Sequence, residues 1–487
     1  MFLARLLVLF SLVCISCAHS SFEQKQLKHA LDFATSNRLE LEILLQHYTY
    51  DSLKLEAAKF LIRNMPHCYS YQQGGEMDSV KRVRTYYSPF GQIDQTYARR
   101  WGHYTYRNLP KIYDAHIITA EYLIDNIDRA FDNWQKRPWN RSLSFEDFCE
   151  YLLPYRIGDE PLEEWRELYE KKYGYLLDSI YKGSDVVEAA NLVSRHLQEP
   201  VFIYCEDFEL PHIGPRYLFS HRYGSCVDAA DIVTYAFRAV GIPCMEDTDA
   251  RGGHVWNVVR DTTGRDVPIW YIASEAVRGS RDTGGYKRGK VYRPMYGFQE
   301  EKAAHLGDDW KSMPLLFYHP YMKDVSYAYY PDTLRILTGI PDDEVCYLAH
   351  FHEAHWWSCA CTRSASGKME IPNLESELVY LPMKYTKGNY YPSGFPFWFA
   401  GGEINTFLPD WEKTVKVRLY RKYPVYGWLR SFMGHVVGGT FEGSMTKNFE
   451  DGKTLYEIAD TPVIARNRIF LNKSVKCRYI RYKADND

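Results

Sequence analysis

The sequence predicts an α+β protein assembled in stages: a helical N-terminal region over 22–183, a mixed α+β core over 184–305, and β-rich segments over 325–405 and 406–487. Three observations carry this. Apolar residues recur at helical spacing through the first third, the stretch 223–259 passes from helical to alternating period, and after Pro314 alternation broken by Gly, Asn, Asp and Pro takes over. At 487 residues, 46% hydrophobic and 25% charged, the chain has the length of about three domains and an ordinary globular composition.

In "LKLEAAKFLIRNMP", Leu53, Leu55, Ala58, Leu61 and Ile62 form one stripe and Pro66 follows the end. "ITAEYLIDNIDRAFDNW" repeats the pattern with Leu123, Ile124, Ile127 and Phe131. In "SLSFEDFCEYLLP", Ser144 stands three residues before Asp147, a capping spacing, and Pro154 ends the helix. After the helical "DVVEAANLVSRHL" the order becomes extended segment, helix, strand, hairpin, strand. The tail then reads as strands in "VCYLAHF", "ELVYLPMKY", "TVKVRLYRKYP", "TLYEIAD" and "CRYIRYK". One boundary falls in 300–330 and a softer one near 400–410.

The first residues, "MFLARLLVLFSLVCISCAHSS", carry Arg5 as their one charge and an apolar run from Leu6 to Ile15. That run is too short to span a bilayer, so residues 1–17 read as an export signal. Ser16-Cys17 resembles a bacterial lipoprotein cleavage site, which implies a lipidated Cys17 and an anchor in the cell envelope, at the outer membrane. Cys14 stands where such sites usually carry Leu, which leaves a plain cleaved signal as the alternative. Beyond that anchor no membrane contact is expected. A net charge of −3 with dispersed Lys and Arg excludes the basic field that nucleic acid needs. The 16% aromatic content, with 41 Tyr, suits carbohydrate or peptide contacts and also sandwich cores. Of eleven cysteines, nine remain after Cys14 and Cys17, an odd number in an oxidising compartment.

One of the nine is placed for chemistry. Ser225 precedes a helix with Asp228 three residues on, while Gly241 and Pro243 mark its stop, so Cys226 falls in the first turn. Exposed N–H groups and the positive dipole end favour a thiolate there, and the Cys226 N–H is an oxyanion donor. Gly224 leaves room for a substrate to approach the sulfur. His254 follows two glycines and opens the alternating run "VWNVV", so an imidazole at a strand edge faces a nucleophile at a helix start.

Gly224-Ser225-Cys226, Gly241-Ile242-Pro243 and His254-Val255-Trp256 together resemble the transglutaminase-like superfamily, a papain-related cysteine fold with a G-x-C at a helix start, a "GIP" closing that helix and an H-x-W opening the next strand. The resemblance implies a thiol amide hydrolase or acyl transferase of cysteine protease-like chemistry, acting on peptide or protein amides without a cofactor. Cys226 is then the nucleophile and His254 the base. Members carry an Asp on the strand after the His. If Asp261 pairs with Arg265 across "RDTTGRD", His254 lies opposite about Ile272, where this chain has "WYIAS" and no acid. Glu275 is the nearest carboxylate and the candidate third member, with Asp266 next. Without that acid the core also fits a catalytically inactive envelope protein that binds glycan or peptide, or an assembly component.

The wider chain resembles exported bacterial lipoproteins with a helical lead, a transglutaminase-like core and a β tail. "GGTFEGSMTKNFEDGKTLYEI" with "CRYIRYK" resembles a discoidin-like jelly roll, galactose-binding-like in kind, which implies glycan binding and a C-terminal β-sandwich whose closing strand is missing at Asp487. No metal site is expected. In "AHFHEAHWWSCAC", His350, His352, His355, Cys359 and Cys361 suggest zinc. A hairpin setting Ala349 opposite Cys359 and Tyr347 opposite Cys361 sends His350 and His352 to the other face from both cysteines. No acidic loop of calcium-ligand spacing occurs.

Overall fold

A computed structural model describes residues 22–75, 77–79, 81–82, 106–199, 201–204, 210–251, 253–270, 275–281, 287–299, 313–337, 340–352, 355–413, 434, 436–462, 469–471 and 475–484. The export signal with Cys17, and the expected strand "TVKVRLYRKYP", lie outside them. The architecture is mixed α/β with several sheets, in two units, Met1–Leu408 and Pro409–Asp487. Among the described residues no helix is long and apolar enough to cross a membrane.

The helical region forms where the stripes predict. Helices α1 (Arg38–His47), α2 (Ser52–Asn64), α3 (Ala120–Lys136) and α4 (Phe145–Tyr151) share one core, in which Leu61, Ile62, Leu123, Ile127, Phe131 and Phe148 are buried. Leu53, in the first turn of α2, stays 41% exposed. Side-chain caps fix the starts: Asp51 accepts from Lys54 N, Thr119 from Tyr122 N and Ser144 from Asp147 N, each satisfying an amide the helix leaves open.

Two further helices, α5 (Arg166–Tyr175) and α6 (Val186–Leu197), and the short α7 (Pro215–Ser220) surround α8 (Cys226–Ala239). α8 lies on a five-stranded antiparallel sheet of β1 (Cys244–Asp249), β2 (Val255–Arg260), β3 (Asp266–Ile269), β4 (Val291–Pro294) and β5 (Met322–Asp324), in the order β3-β2-β1-β4-β5. Ile232, Val233 and Ala236 of α8 meet Cys244, Val259, Val267 and Ile269 on one face. Met245, Trp256, Val258 and Val291 pack with Tyr151, Val325 and Tyr329 on the other. The helical lead is bonded to this core at the turn after α8. Arg137 Nε donates to Val240 O (2.8 Å), and Trp139 Nε1 and Asn140 Nδ2 both donate to Gly241 O (2.9 Å each). Gly241 has φ +81°, and a Cβ there would lie 2.8 Å from Asn133 O, so only glycine fits.

The β-rich segment follows in the same unit. Strands β6 (Asp332–Leu337) and β9 (Lys368–Leu374) form a ribbon. β7 (Val345–His352), β8 (His355–Arg363), β10 (Leu378–Thr386), β12 (Phe397–Ala400) and β13 (Glu403–Thr406) run β8-β7-β10-β12-β13, with β11 (Asn389–Pro392) on β10. Ala250, at the tip of the β1–β2 hairpin, packs against the apolar clusters on both faces of this sheet.

In the second unit, β14 (Thr440–Ser444), β15 (Lys453–Glu457) and β16 (Tyr479–Lys483) form an antiparallel sheet in the order β15-β14-β16. Asp451 gathers its turn by accepting from Met445 N (3.0 Å) and Thr446 Oγ1 (2.8 Å).

The pattern around "AHFHEAHWWSCAC" departs from the expected register. Tyr347 does face Cys361, but a bulge between Leu348 and Ala349 pairs Leu348 with Ala360 and Ala349 with Ser358, leaving Cys359 unpaired between them. A bulge turns two successive residues toward one face. Cys359 and Ala360 therefore both join the cluster of Cys346 and Leu348, and Cys361 alone packs on the opposite face with Tyr347 and Ala349.

Candidate active site

The start of α8 is built by a reciprocal cap. Ser225 N donates to Asp228 Oδ2 (2.8 Å), while Ser225 Oγ accepts from Val227 N (3.3 Å). Cys226 is thus the first helical residue, 6% exposed, at the end where helix dipoles stabilise an anion. Gly224 does not serve as the expected opening for substrate: a Cβ on it would fall 2.3 Å from Asp228 Oδ2. The space beside Gly224 holds the capping carboxylate, so glycine is required by the cap.

His254 is delivered by a turn that Asp249 organises. Its carboxylate accepts from Arg251 N (3.0 Å) and Gly253 N (2.9 Å). The His254 carbonyl in turn accepts from Thr248 Oγ1 (3.0 Å) and Asp249 N (3.3 Å). The ring is 8% exposed and meets Trp270 edge to face, with centroids 4.4 Å apart at 69°. Trp256 lies 5.6 Å away and is itself held by Nε1 donating to Tyr329 OH (2.9 Å).

Side-chain contacts fix the direction of helix against strands. Arg238 Nε donates to Cys244 O (3.2 Å), Thr234 Oγ1 to Glu246 Oε1 (2.7 Å), and Asn257 Nδ2 to Ala230 O (3.0 Å) and Thr234 Oγ1 (2.9 Å). β1 therefore leaves the C-terminal end of α8 and runs back along it, and β2 returns parallel to the helix. Cys226 stands one turn before Ala230 and His254 three residues before Asn257, so the fold brings both to the same end of the helix–strand pair.

The two candidate carboxylates are elsewhere. The β2–β3 register matches the expected turn, with Asp261 N donating to Arg265 O (2.8 Å) and Asn257 opposite Ile269. Glu275 is bound to Arg195 (2.6 Å), with both side chains 54% exposed, so it serves a surface ion pair and does not orient His254. Asp266 lies at the far end of β3. It accepts from Tyr151 OH (2.9 Å) and Arg293 Nη1 (2.8 Å) and pairs with Arg260 (3.2 Å). Residues 271–274 lie outside the described residues.

Sequence reasoning missed a second polar pair on α8. His212 Nδ1 lies 2.9 Å from both oxygens of Asp231, whose side chain is fully buried. Burial opposes charge on this imidazole, but the Asp231 carboxylate and its hydrogen bond outweigh it and hold His212 protonated well above the usual histidine range. Nearby, burial raises the Glu246 carboxyl above its ordinary value. One signal was available, because Asp228, Asp231, Thr234 and Arg238 recur at helical spacing as a polar stripe on α8; nothing in "LPHIGP" marks His212. Among the described residues no group of three His, Cys, Asp or Glu side chains could hold a metal. No protein-family model, curated protein or solved structure matches this chain.

Proposed function

We propose that the protein is an extracytoplasmic thiol-dependent amide hydrolase or acyl transferase on a transglutaminase-like core, with peptide or protein amides as substrates. One observation carries this reading: a thiol at the first residue of a capped helix and an imidazole that the adjacent strands return to the same helix end. In the reaction His254 takes the Cys226 proton, the sulfur attacks the amide carbon, and the Cys226 N–H stabilises the oxygen that gains charge. The C–N bond then breaks as the imidazolium protonates the leaving amine. Water or a second amine cleaves the thioester and restores the thiol. An orienting carboxylate holds the imidazole and forms no bond to substrate. Trp270 packs against the ring, and the Asp249 turn holds the backbone that carries it. A lipid anchor at Cys17 and a discoidin-like, glycan-binding tail belong to the same proposal.

The test is iodoacetamide labelling and ammonia release from a glutamine peptide, for wild type, Cys226→Ala and His254→Gln. Wild type should label at neutral pH and release ammonia, and both variants should lose release. Equal labelling of wild type and Cys226→Ala, or none in either, removes the activated thiolate. A second reading, a non-catalytic envelope protein binding glycan or peptide, is favoured by the commitment of Glu275 to Arg195. It predicts glycan or peptidoglycan capture that Cys226→Ala leaves unchanged.

A further inference from the structure

His350 is fully buried, and neither ring nitrogen has a hydrogen-bond partner. A buried imidazole costs free energy unless its polar atoms are satisfied, so an orphaned pair marks a site whose partner is something other than protein. Burial also pushes its pKa down to about 4, which leaves the ring neutral with a lone pair to donate at any ordinary pH. The bulge described above supplies a second donor. Cys359 is fully buried on the same sheet face, and the two side chains converge beside Gly289. A Cβ added to that glycine would lie 3.0 Å from Cys359 Sγ and 3.1 Å from His350 Nδ1. Gly289 has φ +77°, and its N–H is held by Glu375 Oε2 (2.9 Å), so the backbone is fixed against both donors.

We infer that His350 and Cys359 form a two-coordinate site for a soft monovalent cation, copper(I) by chemical class. Thiolate sulfur and neutral imidazole are the donors that select copper(I) from harder ions. One thiolate with one monovalent ion is a neutral unit, which suits the apolar neighbours Leu348, Ala360, Tyr380 and Phe397. Zinc needs four ligands, and no third described side chain converges here. Binding replaces the thiol proton: the S–H bond breaks, an S–Cu bond forms, one proton leaves to solvent, and no electron is transferred. Burial holds the Cys359 thiol up at about 12, so the ion has to displace that proton, as metal ligation does.

The experiment loads the full chain anaerobically with one equivalent of copper(I), supplied as its acetonitrile complex, in competition with bicinchoninate. X-ray absorption at the copper edge follows. Expected are one retained ion with one sulfur and one nitrogen neighbour, and at least tenfold weaker retention in His350→Gln and in Cys359→Ser. A sulfur-only or nitrogen-only shell in wild type, loss of the ion to the competitor, or equal retention by folded variants overturns the site. The wild-type spectrum decides the question even if both variants misfold.

Discussion

Replacing Arg293 with Met tests how the His254 strand is supported. Arg293 is 2% exposed and lies between two carboxylates, with Nε 2.5 Å and Nη2 2.9 Å from Asp247, and Nη1 2.8 Å from Asp266. It also donates to Tyr151 OH. Asp247 in turn accepts from Tyr329 OH (2.7 Å), the hydroxyl that receives the Trp256 N–H. Methionine nearly conserves the stem volume but leaves the buried Asp247 carboxylate with no counter-charge and Asp266 with Arg260 alone (3.2 Å). Breaking a buried pair in this way costs about 3–5 kcal/mol. At about 2 °C per kcal/mol for a large unit, Tm should fall by roughly 6–10 °C. The sign with pH follows from the carboxylates. Burial already holds Asp247 above its ordinary range with Arg293 present, and removing the cation raises it further. A folded state that binds more protons than the unfolded one gains stability as pH falls, so the deficit should be largest at neutral pH and shrink toward about pH 5. Scanning calorimetry at both pH values measures this. A Tm change below about 2 °C at neutral pH, or a deficit that grows on acidification, refutes the reasoning.

Other outcomes follow from the same contacts. Gly224→Ala should displace the Asp228 carboxylate, cost about 1 kcal/mol of stability, and slow alkylation of Cys226; unchanged alkylation would separate the cap from thiol reactivity. Glu275→Gln breaks an exposed pair only, so stability should change by less than about 1 kcal/mol and ammonia release should persist; a tenfold loss of release would make Glu275 the orienting acid after all. His212 has a raised folded pKa, so its stabilisation is fully present below the unfolded value of about 6.5 and disappears as pH rises through the folded value. The Tm difference between wild type and His212→Gln should therefore narrow on going alkaline, and a widening gap would contradict the His212–Asp231 ion pair.

What could be read in advance depended on the range of the interaction. The Ser225–Asp228 cap and the Asp261–Arg265 turn are set by neighbours within four residues, and both appear in the fold as their spacing implies. Period and caps likewise located α2, α3 and α8. The misses are long-range. Glu275 meets Arg195 across 80 positions, and His212 meets Asp231 after the chain has passed through α7, so no local pattern records either pair. The bulge at Cys359 is different in kind. A single unpaired residue shifts side chains between faces, and strict alternation cannot encode where that residue falls.

The β1–β2 hairpin is a beam held at both ends. Its base is bolted to α8 through Asn257, and its tip, Ala250, is clamped in the β-rich layer, with the Arg251 guanidinium 5.6 Å over the Trp357 ring. Load applied to that layer is thus transmitted to the residue mounted just beyond the tip, His254. Excising 184–305 as a free-standing fragment would turn the beam into a cantilever, its apolar end in water and its imidazole without a fixed bearing.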